Sequence, residues 1–343
     1  MACVSTVVPR RPRRRRVALA LIAAALCLVP LLGAGYEHLS AAAGRAAHPA
    51  PGRMVDVGGH RLHVVQRGTG GPTVVLEAGS GEAASGWAAV TDRLAATTTV
   101  VAYDRAGIAR SERSPRPRTA RAVVDDLRAA LHGIDAPRPY VLVGHSLGGL
   151  YVREYVREHP GEVAGLVLVD ARPEDDARRT AHLLPDGAGA GTIPPWVGRS
   201  LHAVGALRLG GGALLDGMVP PAGRREFLDV TASPTYFATK QAEADHIAPT
   251  ERALRGQDLG ALPVRVIARG VPQDYAAAGI DAATGRRLEA IWQDGQRRML
   301  RLSSDSALVV ADGSGHLVPT ERPDVVADVV RSLITELRDG PTP

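Results

Sequence analysis

Short apolar runs and amphipathic stretches alternate along this chain between about residue 54 and residue 337. The runs are rich in β-branched residues, which is typical of buried strands, and the stretches between them repeat apolar residues at helical spacing. The predicted strands cover residues 73–78, 98–103, 140–143, 163–169, 263–268 and 307–311, after a hairpin at 54–57 and 61–66. The predicted helices cover residues 120–132, 284–302 and 322–337. This alternation predicts an α/β fold.

The segment Tyr140 to Tyr151, YVLVGHSLGGLY, predicts a strand, a tight turn and a helix, with Ser146 at the apex of the turn. Such a turn forces its central residue into a strained backbone conformation, and side chains two positions before and after it would collide. Gly144 and Gly148 occupy those two positions and complete a G-x-S-x-G pattern. In this strand–turn–helix context the pattern indicates a nucleophilic serine.

The N-terminal segment combines a basic run with an apolar stretch. Six arginines lie between positions 10 and 16, and residues 17–35 contain no charge. At the helical rise, nineteen residues span about 28 Å, close to the thickness of a bilayer core. We expect a cytoplasmic basic leader at 1–16, a signal anchor or a signal peptide at 17–35, and an Ala-, Gly- and Pro-rich linker at 36–53. The body then lies outside the cytoplasm, either at the cell membrane or secreted.

Charge and cysteine content narrow the class of protein. Subtracting the six leader arginines from the net charge of +5 leaves −1, so the body is nearly neutral and nucleic acid is not an expected partner. Both cysteines, Cys3 and Cys27, lie in the leader, so the body forms no disulfide. The sequence has no metal-ligand spacing and no G-x-x-x-x-G-K loop, and we expect no metal and no cofactor.

The segment YVLVGHSLGGLY and the strands around it resemble the α/β-hydrolase fold family, in its serine esterase, lipase and peptidase branch. The resemblance extends over about residues 54–337. It implies a mostly parallel sheet flanked by helices, with a helical cap inserted between strands six and seven. Residues 171–260 lose the strand–helix alternation and suit that cap, which leaves 54–170 and 261–337 as the core. Epoxide hydrolases of this fold have Asp at the position of Ser146, which disfavours that chemistry.

A nucleophilic serine needs a general base, and the base in turn needs an acid that orients it. The family presents its histidine in the loop after the last strand, where this chain has His316. Two aspartates are candidates for the acid. Asp170 directly follows the strand at 163–169, and Asp274 lies after the next strand, which is the family's more common place. We favour Asp170 because it follows a buried strand directly; Asp274 stays open.

The resemblance also implies two backbone donors for an oxyanion. One is the N–H of Leu147, at the start of the helix after the nucleophile. The other is the N–H of Ser80, in a turn where the family has His-Gly-x and this chain has Ala78-Gly79-Ser80. We expect Asp104 and Arg105 to fix loops, and His145 to be a packing residue.

Taken together, these features predict a serine hydrolase that cleaves carboxylic esters of small molecules through an acyl-enzyme. An aminopeptidase acting on small peptides and a cofactor-free perhydrolase use the same residues and stay open as alternatives. So does a non-catalytic binding protein that keeps the fold. The membrane, reached through the N-terminal segment, is the other expected partner, and the sequence does not specify an oligomeric state.

Overall fold

The computed structural model describes residues 12–49, 51–184, 194–215, 219, 223–233, 235–276 and 279–340. Residues 1–11, most of the predicted basic leader, therefore lie outside the described residues, as do parts of the predicted cap. The chain divides into two compact units. The sheet unit comprises Pro49–Pro195 and Thr231–Pro343, and the helical unit comprises Met1–His48 and Trp196–Val230.

The sheet unit contains one eight-stranded sheet. Its strands are β1 Arg53–Asp56, β2 Arg61–Arg67, β3 Thr73–Glu77, β4 Val100–Tyr103, β5 Tyr140–His145, β6 Val163–Val169, β7 Val264–Arg269 and β8 Ser306–Ala311. The strand order is β1-β2-β4-β3-β5-β6-β7-β8. The strands from β3 to β8 pair in parallel, whereas β1 with β2 and β2 with β4 are antiparallel. Because parallel strands end at the same edge, the loops after β3, β5, β6, β7 and β8 meet there.

Helices cover both faces of the sheet, as its parallel strands require. The helices of the described residues are α1 Pro12–Ala47, α2 Ala88–Leu94, α3 Ala120–Gly133, α4 Gly148–Glu158, α5 Asp176–Thr180, α6 Pro195–Ala203, α7 Ala206–Leu214, α8 Arg224–Glu226, α9 Tyr236–Asp245, α10 Ile247–Leu254, α11 Ala282–Arg298, α12 Val318–Glu321 and α13 Pro323–Asp339. On one face, α3 and α4 pack their apolar side chains against the strands. On the other face, α2 and α13 do the same.

The chain between β6 and β7 is helical wherever the structure describes regular elements, from α5 to α10. The fold therefore has helices inserted between β6 and β7, and the bounds 171–260 of the insertion stay a prediction. The insertion is shared between the two units, because α5, α9 and α10 belong to the sheet unit and α6 to α8 belong to the helical unit.

The predicted linker at 36–53 is wrong over most of its length, because α1 continues to Ala47. Its alanines favour helix, and the next proline comes only at Pro49. Within the helical unit, Glu37 of α1 is buried and pairs with the guanidinium of Arg208, Nε lying 3.0 Å from Oε2. The same guanidinium pairs with Asp229. Residues 36–47 are therefore a packed helix and not an extended tether.

Candidate active site

The turn between β5 and α4 has the strained backbone that its sequence predicts. Ser146 adopts a φ of +52°, a conformation that residues with a side chain rarely take. The turn is also crowded. A Cβ at Gly144 would lie 2.6 Å from Val152 Cγ2, and a Cβ at Gly148 would lie 2.5 Å from the carbonyl oxygen of Glu77. Both glycines are thus required by close contacts.

Ser146, His316 and Asp170 lie in one hydrogen-bonded row, although the chain separates them widely. His316 stands in the loop between β8 and α12, and its Nε2 lies 3.0 Å from Ser146 Oγ. Its Nδ1 lies 2.6 Å from Asp170 Oδ2. The hydroxyl, imidazole and carboxylate therefore have the contacts that proton transfer from the serine requires.

Asp170 follows β6 directly, with a φ of +37°, and its side chain is fully buried. Besides His316, the carboxylate accepts hydrogen bonds from Arg269 Nη1 at 3.0 Å and from Trp292 Nε1 at 2.9 Å. Burial by itself would raise the pKa of Asp170, but the hydrogen bond and charge of His316 and the charge of Arg269 outweigh it and hold that pKa below its usual range. The carboxylate is therefore ionised at neutral pH.

Asp274, the other candidate for the acid, has a different environment. It lies in the exposed loop after β7, and its Oδ1 accepts a hydrogen bond from the backbone N–H of Ala276 at 3.0 Å. The contact stabilises a local turn. The carboxylate at His316 Nδ1 is that of Asp170.

The backbone N–H groups of Leu147 and Ser80 have no acceptor among the described residues. Leu147 directly precedes α4, and Ser80 lies in the loop after β3. A Cβ at Gly148 would also meet the carbonyl oxygen of Ala78 at 2.7 Å, so the loop after β3 lies directly against the start of α4. The two predicted oxyanion donors are thus on adjoining segments.

A second acid–histidine pair adjoins this row. The His145 side chain is buried, with Nδ1 2.9 Å from Glu82 Oε2 and Nε2 2.8 Å from the backbone oxygen of His316. Glu82 also accepts a hydrogen bond from the N–H of Gly79 at 2.9 Å. The sequence predicts only a packing role for His145, and no sequence pattern singles out Glu82. The pair joins the loop that contains Ser80 to the loop that contains the histidine.

Trp292 and Arg269 are likewise not evident from the sequence. Trp292 lies on α11, and its ring also meets the His316 ring edge-on, with centroids 5.6 Å apart. The Arg269 guanidinium lies over the face of the Trp292 ring, with its carbon 5.1 Å from the ring centroid. Both residues reach Asp170 across more than 90 positions of sequence, which a local motif cannot indicate.

Comparisons with known proteins agree with this architecture. A family model described as the alpha/beta hydrolase family matches residues 74–329. The probable transporter efuK of Hormonema carpetanum is 26% identical over 304 residues, which are 82% of this chain and 42% of that protein. The chain thus spans less than half the length of this relative, and of YbdG of Bacillus subtilis, where it covers 46%.

Two solved structures are similar in fold. The epoxide hydrolase CorEH has a TM-score of 0.61 at 19% identity and aligns over 83% of this chain and 99% of its own. A thermophilic esterase from Thermogutta terrifontis has a TM-score of 0.55 at 22% identity, over 81% of this chain and 94% of its own. At these identities the similarity concerns the fold alone.

Proposed function

The chain belongs to the alpha/beta hydrolase family, and on that premise we propose that it is a serine hydrolase that cleaves carboxylic esters. One observation carries the proposal: His316 Nε2 lies 3.0 Å from Ser146 Oγ while its Nδ1 lies 2.6 Å from buried Asp170. A serine hydroxyl is a poor nucleophile at neutral pH, and an imidazole held in this way is the group that activates it.

In the proposed acylation, Ser146 Oγ forms a bond to the ester carbonyl carbon and its proton passes to His316 Nε2. Asp170 accepts the hydrogen bond from Nδ1–H, which fixes the tautomer and stabilises the imidazolium. The carbonyl oxygen becomes an oxyanion, which the N–H groups of Leu147 and Ser80 stabilise. His316 then gives the proton to the alcohol oxygen as the ester C–O bond breaks.

Deacylation repeats these steps with water in place of serine. Water loses a proton to His316 Nε2 and adds to the acyl carbon. The second tetrahedral oxyanion collapses, the acid leaves, and Ser146 regains its proton from the imidazole. The net reaction is the hydrolysis of an ester by water to an acid and an alcohol.

The residue at the nucleophile position separates this proposal from the chemistry of one structural neighbour. Epoxide hydrolases of this fold place Asp where this chain has Ser146. The similar structure from Thermogutta terrifontis is that of a thermophilic esterase. The serine therefore supports ester cleavage over epoxide opening, and carboxylic esters are the proposed substrate class.

We further propose that the N-terminal helix anchors the enzyme in the cell membrane with the sheet unit outside the cytoplasm. Arg15–Ala47 is, among the described residues, the one helix long and apolar enough to cross a membrane. A cleaved signal sequence has the same composition, and the protein would then be secreted. Mass spectrometry of the exported protein's N-terminus separates the two: the anchor predicts that residues 17–35 are retained.

A chain-length series of p-nitrophenyl esters tests the enzymatic proposal. We expect turnover by the full chain and a loss on the order of 10⁶-fold in kcat for Ser146→Ala. A fluorophosphonate probe should label the wild type at Ser146 and leave the variant unlabelled. Absence of both turnover and labelling in the folded wild type would favour a non-catalytic binding protein.

The remaining alternatives have their own assays with the same pair of proteins. Ser146-dependent release of p-nitroaniline from aminoacyl anilides, faster than ester turnover, would favour a peptidase. Ser146-dependent formation of peracid from carboxylic acid and hydrogen peroxide would favour a perhydrolase. Either outcome would overturn ester cleavage as the main activity, and Ser146 would remain the proposed nucleophile.

A further inference from the structure

Arg105 lies in the loop after β4 and is almost fully buried, with 1% of its side chain exposed. Its guanidinium has five N–H donors, and all five have acceptors. The bonds are Nη1 to Ala78 O at 2.6 Å, Nη1 to Glu77 Oε1 at 2.8 Å, Nη2 to Gly79 O at 2.7 Å, Nη2 to Glu243 Oε2 at 3.0 Å and Nε to Glu243 Oε1 at 2.8 Å. A side chain held in this way has one orientation.

Two of these acceptors are backbone carbonyls of the loop that contains Ser80. The carbonyl of Gly79 and the N–H of Ser80 belong to one peptide unit, which is planar and trans, so the two groups point in opposite directions. Holding the Gly79 oxygen on Arg105 therefore sets the direction of the Ser80 N–H.

The preceding peptide unit is fixed at both ends. Its carbonyl, from Ala78, accepts from Arg105, and its N–H, from Gly79, donates to Glu82 at 2.9 Å. On the other side of the loop, the close approach of Gly148 to the Ala78 oxygen leaves no room for inward movement. Rotation of either peptide would break a charge-assisted hydrogen bond, about twice as strong as a neutral one.

The guanidinium is itself fixed by carboxylates from two elements. Glu77 ends β3, and Glu243 lies on α9, in the part of the predicted cap that belongs to the sheet unit. The Glu77 and Glu243 side chains are fully buried. Arg118 adds a second positive charge, 3.8 Å from Glu243, and contacts neither of the two loop carbonyls among its described hydrogen bonds.

We propose that Arg105 is a positioning residue that aims the Ser80 N–H at the oxyanion. It acts through the Gly79 carbonyl and does not contact the substrate. The inference rests on the proposed function, because it presupposes an oxyanion formed at Ser146. Glu243 supports the same orientation from α9, so this part of the cap contributes to catalysis without contributing a catalytic group.

The test compares Arg105→Lys with Arg118→Lys in the full chain. A lysine at 105 keeps the charge, but three donors on one nitrogen cannot span both carbonyls and both carboxylates. We expect a loss of about 10²-fold in kcat for Arg105→Lys, the cost of losing one oxyanion donor. KM should stay within about threefold, because ground-state binding does not use this donor. Arg118→Lys should keep wild-type kcat.

A trifluoromethyl ketone with the acyl chain of the best ester gives the readout that a merely structural role would not change. Ser146 Oγ adds to its ketone carbon, the serine proton passes to His316, and the oxygen becomes an oxyanion. Its inhibition constant should rise for Arg105→Lys by the same factor as kcat falls, since both report oxyanion stabilisation. For Arg118→Lys the inhibition constant should not change, even if the melting temperature of this variant falls as far as that of Arg105→Lys.

Several results would overturn the inference. Folded Arg105→Lys with wild-type kcat and ketone affinity would do so, as would equal losses in the two lysine variants. If Arg105→Lys does not fold, Glu243→Gln replaces it, and there an unchanged kcat and ketone affinity counts against the inference. Failure of the proposed function is distinct, because it shows in the wild type and in Ser146→Ala before any variant at Arg105 is measured.

Discussion

His145 donates a hydrogen bond from Nε2 to the backbone oxygen of His316, across 2.8 Å. Its other ring nitrogen lies 2.9 Å from Glu82 Oε2. A neutral imidazole has one donor and one acceptor nitrogen, so a ring that faces a carbonyl and an ionised carboxylate satisfies both only as an imidazolium. The residue before the nucleophile therefore holds the histidine loop through a charged pair with Glu82.

This pair should make stability depend on pH in two directions. Burial alone would lower the pKa of His145, but the charge and hydrogen bond of Glu82 raise it above 6.5. Burial alone would raise the pKa of Glu82, but His145 lowers it to about 2. The stabilisation by His145 is complete below its unfolded pKa and is lost as pH rises through the raised value. The stabilisation by Glu82 is present above its unfolded pKa and is lost as pH falls toward 2.

Glu82→Gln should therefore lower the free energy of unfolding most between about pH 4.5 and 6.5, by about 2 kcal/mol. The difference from the wild type should shrink on either side of this window. Urea unfolding at a series of pH values measures it. Glu112→Gln is the matched control, since Glu112 pairs with Arg61 at an exposed site and arginine does not titrate in this range. A difference for Glu82→Gln that stays constant from pH 5 to pH 9 would contradict the charged pair.

Replacing each candidate acid by asparagine should lower kcat far more at Asp170 than at Asp274. Asp170→Asn should lower kcat by about 10⁴-fold, because an amide at this position favours the wrong imidazole tautomer. Asp274→Asn should keep wild-type kcat, because its carboxylate accepts from Ala276 in an exposed turn. Initial rates with one p-nitrophenyl ester measure both. Loss of turnover in Asp274→Asn, with Asp170→Asn active, would assign the acid to the other aspartate.

Gly148→Ala should reverse the usual effect of alanine at the start of a helix. Alanine normally stabilises a helical position relative to glycine. Here its Cβ would lie 2.5 Å from the carbonyl oxygen of Glu77, so we expect a loss of about 1–3 kcal/mol from overpacking. Because the displaced segment leads to Ser80, kcat should fall as well.

Gly161→Ala is the control for this substitution, because a Cβ there has nothing within 4 Å. It should change the free energy of unfolding by less than about 0.5 kcal/mol and leave kcat unaltered. Chemical unfolding and initial rates are measured on both variants. Wild-type stability and turnover in Gly148→Ala would show that the strand end and α4 can separate, contrary to the contact described.

The sequence predicts those parts of the site that local pattern determines. Ser146 lies between glycines that only a tight strand–helix turn requires, and Asp170 directly follows an apolar strand. The contacts of Arg105 and of Glu82, in contrast, do not follow from a local pattern. Arg105 meets Glu243 across 138 positions, and Glu82 meets His145 across 63, so neither pair leaves a periodic or local signal. These contacts arise from tertiary packing, which hydrophobic spacing does not specify.

The helix through residues 36–47 is a comparable instance in the helical unit. The composition of residues 36–53, which is rich in Ala, Gly and Pro, resembles that of a flexible linker, but both prolines, Pro49 and Pro51, lie beyond the helix end. The contact that packs this helix against the rest of the helical unit is made by Arg208, which is distant in sequence and pairs with Glu37 and Asp229. A carboxylate in a small-residue stretch does not by itself indicate a buried partner.

Arg208→Met should accordingly release this segment. Removing the guanidinium leaves the carboxylates of Glu37 and Asp229, 7% and 4% exposed, without their main partner. Breaking a buried pair in this way costs about 3–5 kcal/mol locally. Hydrogen exchange followed by mass spectrometry should show faster exchange in peptides from 36–48 and 224–231. Peptides from β5 and β6 should exchange as in the wild type.

Arg225→Met is the matched control, because Arg225 also faces Asp229, at 3.9 Å, but is 86% exposed. Exposed ion pairs contribute little, so this variant should exchange like the wild type. If residues 36–48 already exchange freely in the wild type, the segment is a tether after all and the pairing with Arg208 does not hold in solution. Protection in the wild type that disappears only with Arg208 would instead make this helix an ordered extension of the proposed anchor.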